Sequence, residues 1–412
     1  MILNIKKQAF KILGIKKYFR FLIRAFSFII AQFICFLLYP ICWVMNIRFV
    51  KFNYGGMGHL AGEFDCYIKE GILGLRPPYK TVAFFNPKFV VNLHILSYWK
   101  KYLFLMEGGP FLVFLLSSLS RNRFTGYNVE KYFSFWIRSD STHPGIQKKY
   151  YGRPPLLSLT DFDHKRGWME LQKLGVPKNA WFVCVHGREK GYALYRDNAS
   201  SIRNVDINSY FLAMQEIVDR GGWIVRIGDS TMKPIPKMKN VIDYAHLDIK
   251  SDWLDVFLSA SCKFLLGSNS GLSYLSNVFG VRSVLANIAG PFSLVLPYGP
   301  DDIGIPKLLW SIKEKRYLRF KEILSSPLSN IFSDDQFIPN GIQAVENSPE
   351  DIKAVMVEML DMLEGKLKYS AEDECLQAQF KLLMNPAHYS YNAMSRVGRD
   401  FLRKYEYLLK DG

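Results

Sequence analysis

Between residues 179 and 288 short apolar runs alternate with amphipathic ones, and this alternation restricts the fold more than any other feature of the chain. WFVCVHG (181–187), WIVRIG (223–228), VIDYA (241–245), CKFLLGS (262–268) and SVLANI (283–288) are strand-like. DINSYFLAMQEIVDR (206–220), DWLDVFLSA (252–260) and SGLSYLSNVFG (270–280) place apolar residues at helical spacing. Asp206 is the expected N-cap of the first, and Gly221-Gly222 ends it. Apolar strands alternating with helices indicate a parallel sheet covered on both faces. In such sheets ligands bind beyond the carboxyl ends of the strands. Here those ends open into HGRE, GDS, SNSG and IAG. The dense run His186, Arg188, Glu189, Lys190, Arg196, Asp197, Arg203 and Asn204 therefore reads as one wall of a ligand cleft.

At 412 residues the chain fits two domains rather than one core. The expected division is a basic and hydrophobic anchor (1–46), a first Rossmann-like domain (47–175), a second one that carries the ligand cleft (176–345), and helices packing back (346–412). The first domain opens with strand IRFVKFN (47–53), the turn YGGMGH and the helix HLAGEFDCYIKEG (59–71), with TVAFFN and YLFLMEG as further strands. The stretch 105–160 yields no clear pattern. Three amphipathic helices are expected in the last region, PEDIKAVMVEMLDMLEG, AEDECLQAQFKLLM and SRVGRDFLRKYEYLLK.

The net charge of +16 favours an anionic partner. Lys6, Lys7, Lys11, Lys16, Lys17, Arg20 and Arg24 precede the first carboxylate, Glu63, and residues 25–46 carry no charge. A basic head on a greasy segment points to a membrane surface. Pro40 interrupts the segment and Arg48 and Lys51 follow closely, which favours a shallow anchor over a span. That keeps the folded part on the cytoplasmic side of the membrane. Because so much of the excess charge belongs to the anchor, nucleic acid is not an expected partner. Six scattered cysteines, without CxxC or histidine pairing, argue against a disulfide framework and a zinc site.

The turn GSNSGLS offers two readings. Gly267 and Gly271 allow close backbone approach, Ser268, Asn269 and Ser270 add polar groups, and the following helix presents its N–H groups to a phosphate. Alternatively, Ser270 simply caps that helix. Arg188, ending one strand, and Arg226, lying within the next, suit bidentate capture of a diphosphate; for Arg226 the alternative is an ion pair with Asp229 or Asp243. Across the cleft, Gly55, Gly56 and Gly58 permit close approach, and His59 can act as a general base, with Glu63 and Asp65 as rivals. In TDFDHKRG the DFD resembles a metal-binding pair, but Thr160 followed by Asp163 reads as a helix cap. No metal and no cofactor is expected. GGMGH is not the dinucleotide fingerprint.

The order HxRE, YR…RN, GGWIVRIGD, IDYA, DWLD and GSNSGL, with VVNLHILSYWKKYL at 90–103, resembles a group of bacterial glycosyltransferases encoded with surface-polysaccharide genes. The second domain is also similar to fucosyltransferases using nucleotide diphosphate sugars, which implies donor roles for His186, Arg188, Ser268 and Ser270. Glu189 and Lys190 stand where those enzymes carry a second arginine pair, so the base and sugar stay open. The loop Gly55, Gly56, Gly58 and His59 is similar to that of the lipid-linked N-acetylglucosaminyl transferases of peptidoglycan synthesis. The resemblance implies an α/β chain of two facing Rossmann-like domains, the GT-B fold. It further implies a nucleotide sugar donor without catalytic metal, and a glycan or lipid-linked acceptor. Glu189, Arg226, Gly228, Asp243, Tyr244, Asp252, Asn269 and Gly271 complete the expected donor site. Rival readings are a nucleotide-sugar epimerase or hydrolase on the same scaffold, and a non-catalytic binder of anionic ligands at the membrane.

Overall fold

The protein is described from a computed structural model covering residues 26, 28–30, 32–132, 142–189, 201–289, 299–330 and 334–410. The basic residues from Lys6 to Arg24 lie outside the described residues. The first domain is built on a four-stranded parallel sheet of β1 (Ile47–Val50), β2 (Lys80–Phe85), β3 (Phe104–Glu107) and β4 (Gly126–Tyr127), in the order β3-β2-β1-β4.

The second domain carries β5 (Phe182–His186), β6 (Trp223–Arg226), β7 (Val241–Ile242), β8 (Leu265–Gly267), β9 (Ser283–Ile288) and β10 (Ile303–Pro306). β11 (Leu308–Ser311), β12 (Arg316–Tyr317) and β13 (Ile342–Val345) form a small antiparallel sheet beside it. The last strand, β14 (Arg396–Val397), returns to the main sheet, whose order is β14-β10-β9-β8-β5-β6-β7, parallel throughout. β5 and β9 are buried at every position, which is why both read as unbroken apolar runs.

The C-terminal pattern SRVGRDFLRKYEYLLK is not one helix. Its first residues pair with β10, Gly398 packs against Ile305 and Val355, and only Arg399–Lys404 is α-helical. The helix Pro349–Leu363 brings Ile352, Val355, Met356 and Met359 into one core with Met214 and Ile217 of the helix Phe211–Asp219. The helix Asp161–Lys173 also belongs to this core, through Leu171 and through Gly167, which lies against the Phe257 ring.

The first domain is held by aromatic packing, with Phe52 stacked on Phe64 and Trp99 donating from Nε1 to Leu60 O (3.0 Å). Val256, Tyr274, Leu275, Val278 and Phe279 of the second domain join that same core. Residues 32–44 are helical and rest on the first domain. Asn122 Nδ2 donates to Gln32 Oε1 (3.1 Å), and the Tyr39 and Phe124 rings meet edge to face. Among the described residues no helix is long and apolar enough to cross a membrane.

Candidate active site

After β1 the chain runs through the glycine loop Tyr54–Gly58 into a wide π-helical turn, His59–Glu63, that continues as the α-helix Phe64–Ile72. π-Turns inside helices concentrate at functional sites. Here the turn stacks His59 Nδ1 on Glu63 Oε1 in a direct contact. Glu63 is buried while the His59 side chain is 23% exposed, so the carboxylate lies behind the imidazole. Burial pushes the Glu63 carboxyl up to about 7, with the His59 contact and the Asn53 amide holding it back. Gly56 lies against the His59 ring, where a Cβ would come within 2.9 Å of Cδ2.

The facing element is the turn after β8. A Cβ on Gly271 would sit 2.4 Å from the Gly58 backbone nitrogen, so the two predicted glycine turns are in direct contact across the domain boundary. Ser270 caps the helix Gly271–Val278 by accepting from Leu272 N (3.4 Å), as the capping alternative expects. Buried Ser268 accepts from Arg188 N (3.0 Å), tying the end of β5 to this turn. Arg203 donates to Asn269 O (3.0 Å), and Asn269 Oδ1 accepts from Ala289 N (3.2 Å) beyond β9. His59, Gly58, Gly271, Ser268 and Arg188 thus form one contiguous series. Lys190, Arg196 and Asp197 lie outside the described residues.

Arg226 takes the ion-pair alternative. It is fully buried between Glu189 Oε1 (2.7 Å) and Asp243 Oδ1 (2.9 Å). Each carboxylate spends its second oxygen on backbone, Glu189 on Lys233 N and Asp243 on Ile235 N. The three side chains lock the segment after β6 onto the strand ends. Buried His186 is held neutral, its pKa pushed down to about 4 by burial and by the nearby Arg226 and Arg188 cations. Its Nδ1 faces Ile227 O at 3.0 Å, so that nitrogen carries the proton. Gly228 has φ +150°, and a Cβ there would lie 2.1 Å from Met232 Sδ.

Three predicted residues serve elsewhere. Tyr244 is buried, and its hydroxyl accepts from Ser251 N (3.1 Å). Asp252 belongs to the domain contact, where its carboxylate accepts from Leu93 N (2.7 Å) and its carbonyl from Asn92 Nδ2 (2.9 Å). Asp65 turns away from His59 to Lys69 Nζ and Gln147 Nε2, each at 2.7 Å. It lines a second cleft of about 420 Å³ with His143, Tyr274, Arg282 and Asp302, past the opposite end of the helix Gly271–Val278.

Thr160 caps its helix by accepting from Asp163 N (3.1 Å), and Asp163 Oδ2 is taken by Tyr98 and His94. No group of three metal-ligating side chains converges among the described residues. Of the two further cations near the turn, Arg203 belongs to the predicted cleft wall, and sequence reasoning missed the other. Lys307, buried and donating to Asn204 O (2.9 Å), was signalled only by being a charge inside the apolar run GIPKLLW.

No family model and no curated protein sequence matches the chain. Among solved structures it is similar to the iron-containing dodecameric glycosyltransferase TibC of enterotoxigenic E. coli, at 14% identity over 58% of this chain and 57% of that one, with a TM-score of 0.33. It is similar to a glycosyl transferase of family 9 from Veillonella parvula at 11% identity, over 72% and 96% of the two chains, with a TM-score of 0.41. It is also similar to the E. coli heptosyltransferase WaaC at 12% identity, over 63% and 93%, with a TM-score of 0.33.

Proposed function

We propose that the chain is a GT-B-type glycosyltransferase, moving a sugar from a nucleotide diphosphate sugar to an acceptor hydroxyl at the cytoplasmic face of a bacterial inner membrane, without a metal. The observation that carries this reading is the apposition of the His59–Glu63 pair with the Ser268–Gly271 turn across the Gly58–Gly271 contact. A base on one domain thereby faces an anion-binding turn on the other.

The geometry supports the following division of labour. The acceptor oxygen attacks the anomeric carbon as the bond from that carbon to the diphosphate oxygen breaks. His59 takes the acceptor proton, and buried Glu63 orients its ring and stabilises the imidazolium. Charge gathering on the departing diphosphate is met by Arg188 and by the N–H groups opening the helix Gly271–Val278. Arg203 supports the turn from behind. Arg226 and His186 shape the strand ends without reaching substrate. A lipid-linked acceptor is in keeping with the exposed apolar helix 32–44.

Calorimetric titration with a panel of nucleoside diphosphates tests the reading. One of them should bind, and Arg188→Ala should abolish that binding while leaving the thermal midpoint unchanged. Normal binding by the variant would refute the assignment. Silence from every nucleotide would favour the non-catalytic binder, and release of free sugar without a glycosylated product would favour a hydrolase.

A further inference from the structure

The described N-terminal helix is not the only apolar surface of the first domain. β3 is an outer strand, and Phe104 and Met106 on it are 63% and 52% exposed. Two glycines later comes the helix Pro110–Ser117, PFLVFLLS, which carries no charge. Leu112 and Phe114 stand exposed on it. A soluble helix this short normally shows water a polar face. The helix runs directly into the turn Ser118–Arg121, and the residues that follow hold the N-terminal helix. Asn122 bonds Gln32, and Thr125 Oγ1 donates to Cys35 Sγ (3.5 Å). Phe33, Phe36, Leu37, Ile41, Trp43 and Val44 of that helix are exposed as well.

Charge decides what covers this surface. Between residues 47 and 129 the exposed bases are Lys51, Lys80, Lys88, Lys100, Lys101, Arg121 and Arg123, and the only exposed acid is Glu107. Glu63, Asp65 and Glu70 are buried. The domain therefore carries an exposed positive excess, even with exposed Glu130 counted, and a second copy of the chain would bring the same sign and be repelled. An anionic bilayer would be attracted, by about 1 kcal/mol for each basic residue near the surface.

We infer that β3 and the helix Pro110–Ser117 form a second membrane-inserting element, seated with the helix 32–44 in one anionic lipid surface. Apolar side chains enter the acyl boundary while the surrounding lysines and arginines meet the headgroups. The mouth of the cleft then lies close to the lipid. Exposed Phe89 sits on the segment whose Val91 N bonds Tyr54 O (2.9 Å), at the start of the glycine loop. The inference concerns lipid binding alone and does not require the sugar-transfer reading.

The test is a vesicle titration of the full chain, comparing phosphatidylcholine with phosphatidylcholine containing phosphatidylglycerol. Leu112→Glu combined with Phe114→Glu should weaken partitioning into the anionic vesicles about tenfold or more. Ile338→Glu with Leu382→Glu, still more exposed positions on the second domain, should leave it unchanged. Hydrogen exchange on the unaltered protein supplies an independent readout, in which anionic vesicles should protect the peptide spanning 104–117. Unchanged partitioning by the first pair, or no protection of that peptide, overturns the inference.

Discussion

Replacing Glu63 with glutamine should make the protein more stable at neutral pH while removing its activity, and the stability gain should appear only as pH rises. Burial lifts the Glu63 carboxyl from its usual 4.5 to about 7. Below 4.5 the group is protonated in both folded and unfolded chains and contributes nothing to the pH dependence. Between 4.5 and 7 the unfolded chain gives up the proton first, so the native state holds more protons and stability falls with rising pH. Above 7 the full penalty stands, roughly 3 kcal/mol. Glutamine does not titrate, so the difference between Glu63→Gln and the unaltered protein should widen by roughly that amount between pH 4.5 and 8. Hydrogen exchange of the amides in Phe64–Ile72, read across that pH range, isolates the first domain from the rest of a multidomain chain. His59→Ala should move the window to higher pH, because the His59 contact holds the carboxyl down. Parallel curves for Glu63→Gln and the unaltered protein would refute the reasoning.

Arg226→Met should destabilise the second domain by about 3–5 kcal/mol, because it leaves the Glu189 and Asp243 carboxylates facing each other without their cation. A large drop in thermal midpoint, in contrast to Arg188→Ala, would separate the structural arginine from the donor-binding one; selective loss of nucleotide affinity in a stable Arg226→Met protein would reverse the two roles. Gly271→Ala should drive a methyl into the Gly58 backbone and displace the facing turn, lowering transfer while nucleoside diphosphate binding persists. Unaltered transfer by that variant, measured with the native donor, would mean that the contact between turns has no part in catalysis.

Sequence patterning reached the second domain further than the first, for a physical reason. β5, β8 and β9 are buried at every position, and the helices Phe211–Asp219, Asp252–Ser261 and Gly271–Val278 alternate with strands of this sheet, so most of these elements announce themselves locally. SVLANI matches β9 residue for residue, and Asp206 caps its helix by accepting from Asn208 N. β14 could not be found this way. Two residues long, it is specified by its distant partner β10 rather than by its own composition, and it interrupts a stretch that looks helical. The region 105–160 resisted for the opposite reason. Pro110–Ser117 lacks the polar face that periodicity needs, and β4 is another two-residue strand. At the site, the glycine turns were legible because close backbone approach requires glycine. Of the partners of Arg226, Asp243 was offered by the sequence as an ion-pair alternative, while Glu189 was not, since that pairing depends on how β5 and β6 align.

Asp252 explains why spacing alone misplaces a functional residue. In sequence, DWLD offers two carboxylates one helical turn apart at the start of a helix, a pattern that suits a ribose as well as a cap. In the structure both are occupied. Asp255 holds Lys250 through both oxygens, at 2.8 and 2.9 Å, and Asp252 caps the first-domain helix Leu93–Trp99 from the second domain. That cap lies beside the glycine loop, since Val91 N bonds Tyr54 O. The loop carrying His59 is therefore positioned by two contacts from the second domain, Asp252 on one side and Gly271 on the other. Tyr274, Leu275, Val278 and Phe279 extend the junction into the first-domain core. An apolar, interlocked junction of this kind resists the relative motion that polar domain contacts allow. His59 and the Ser268–Gly271 turn are accordingly brought to their facing positions by folding, before any ligand arrives.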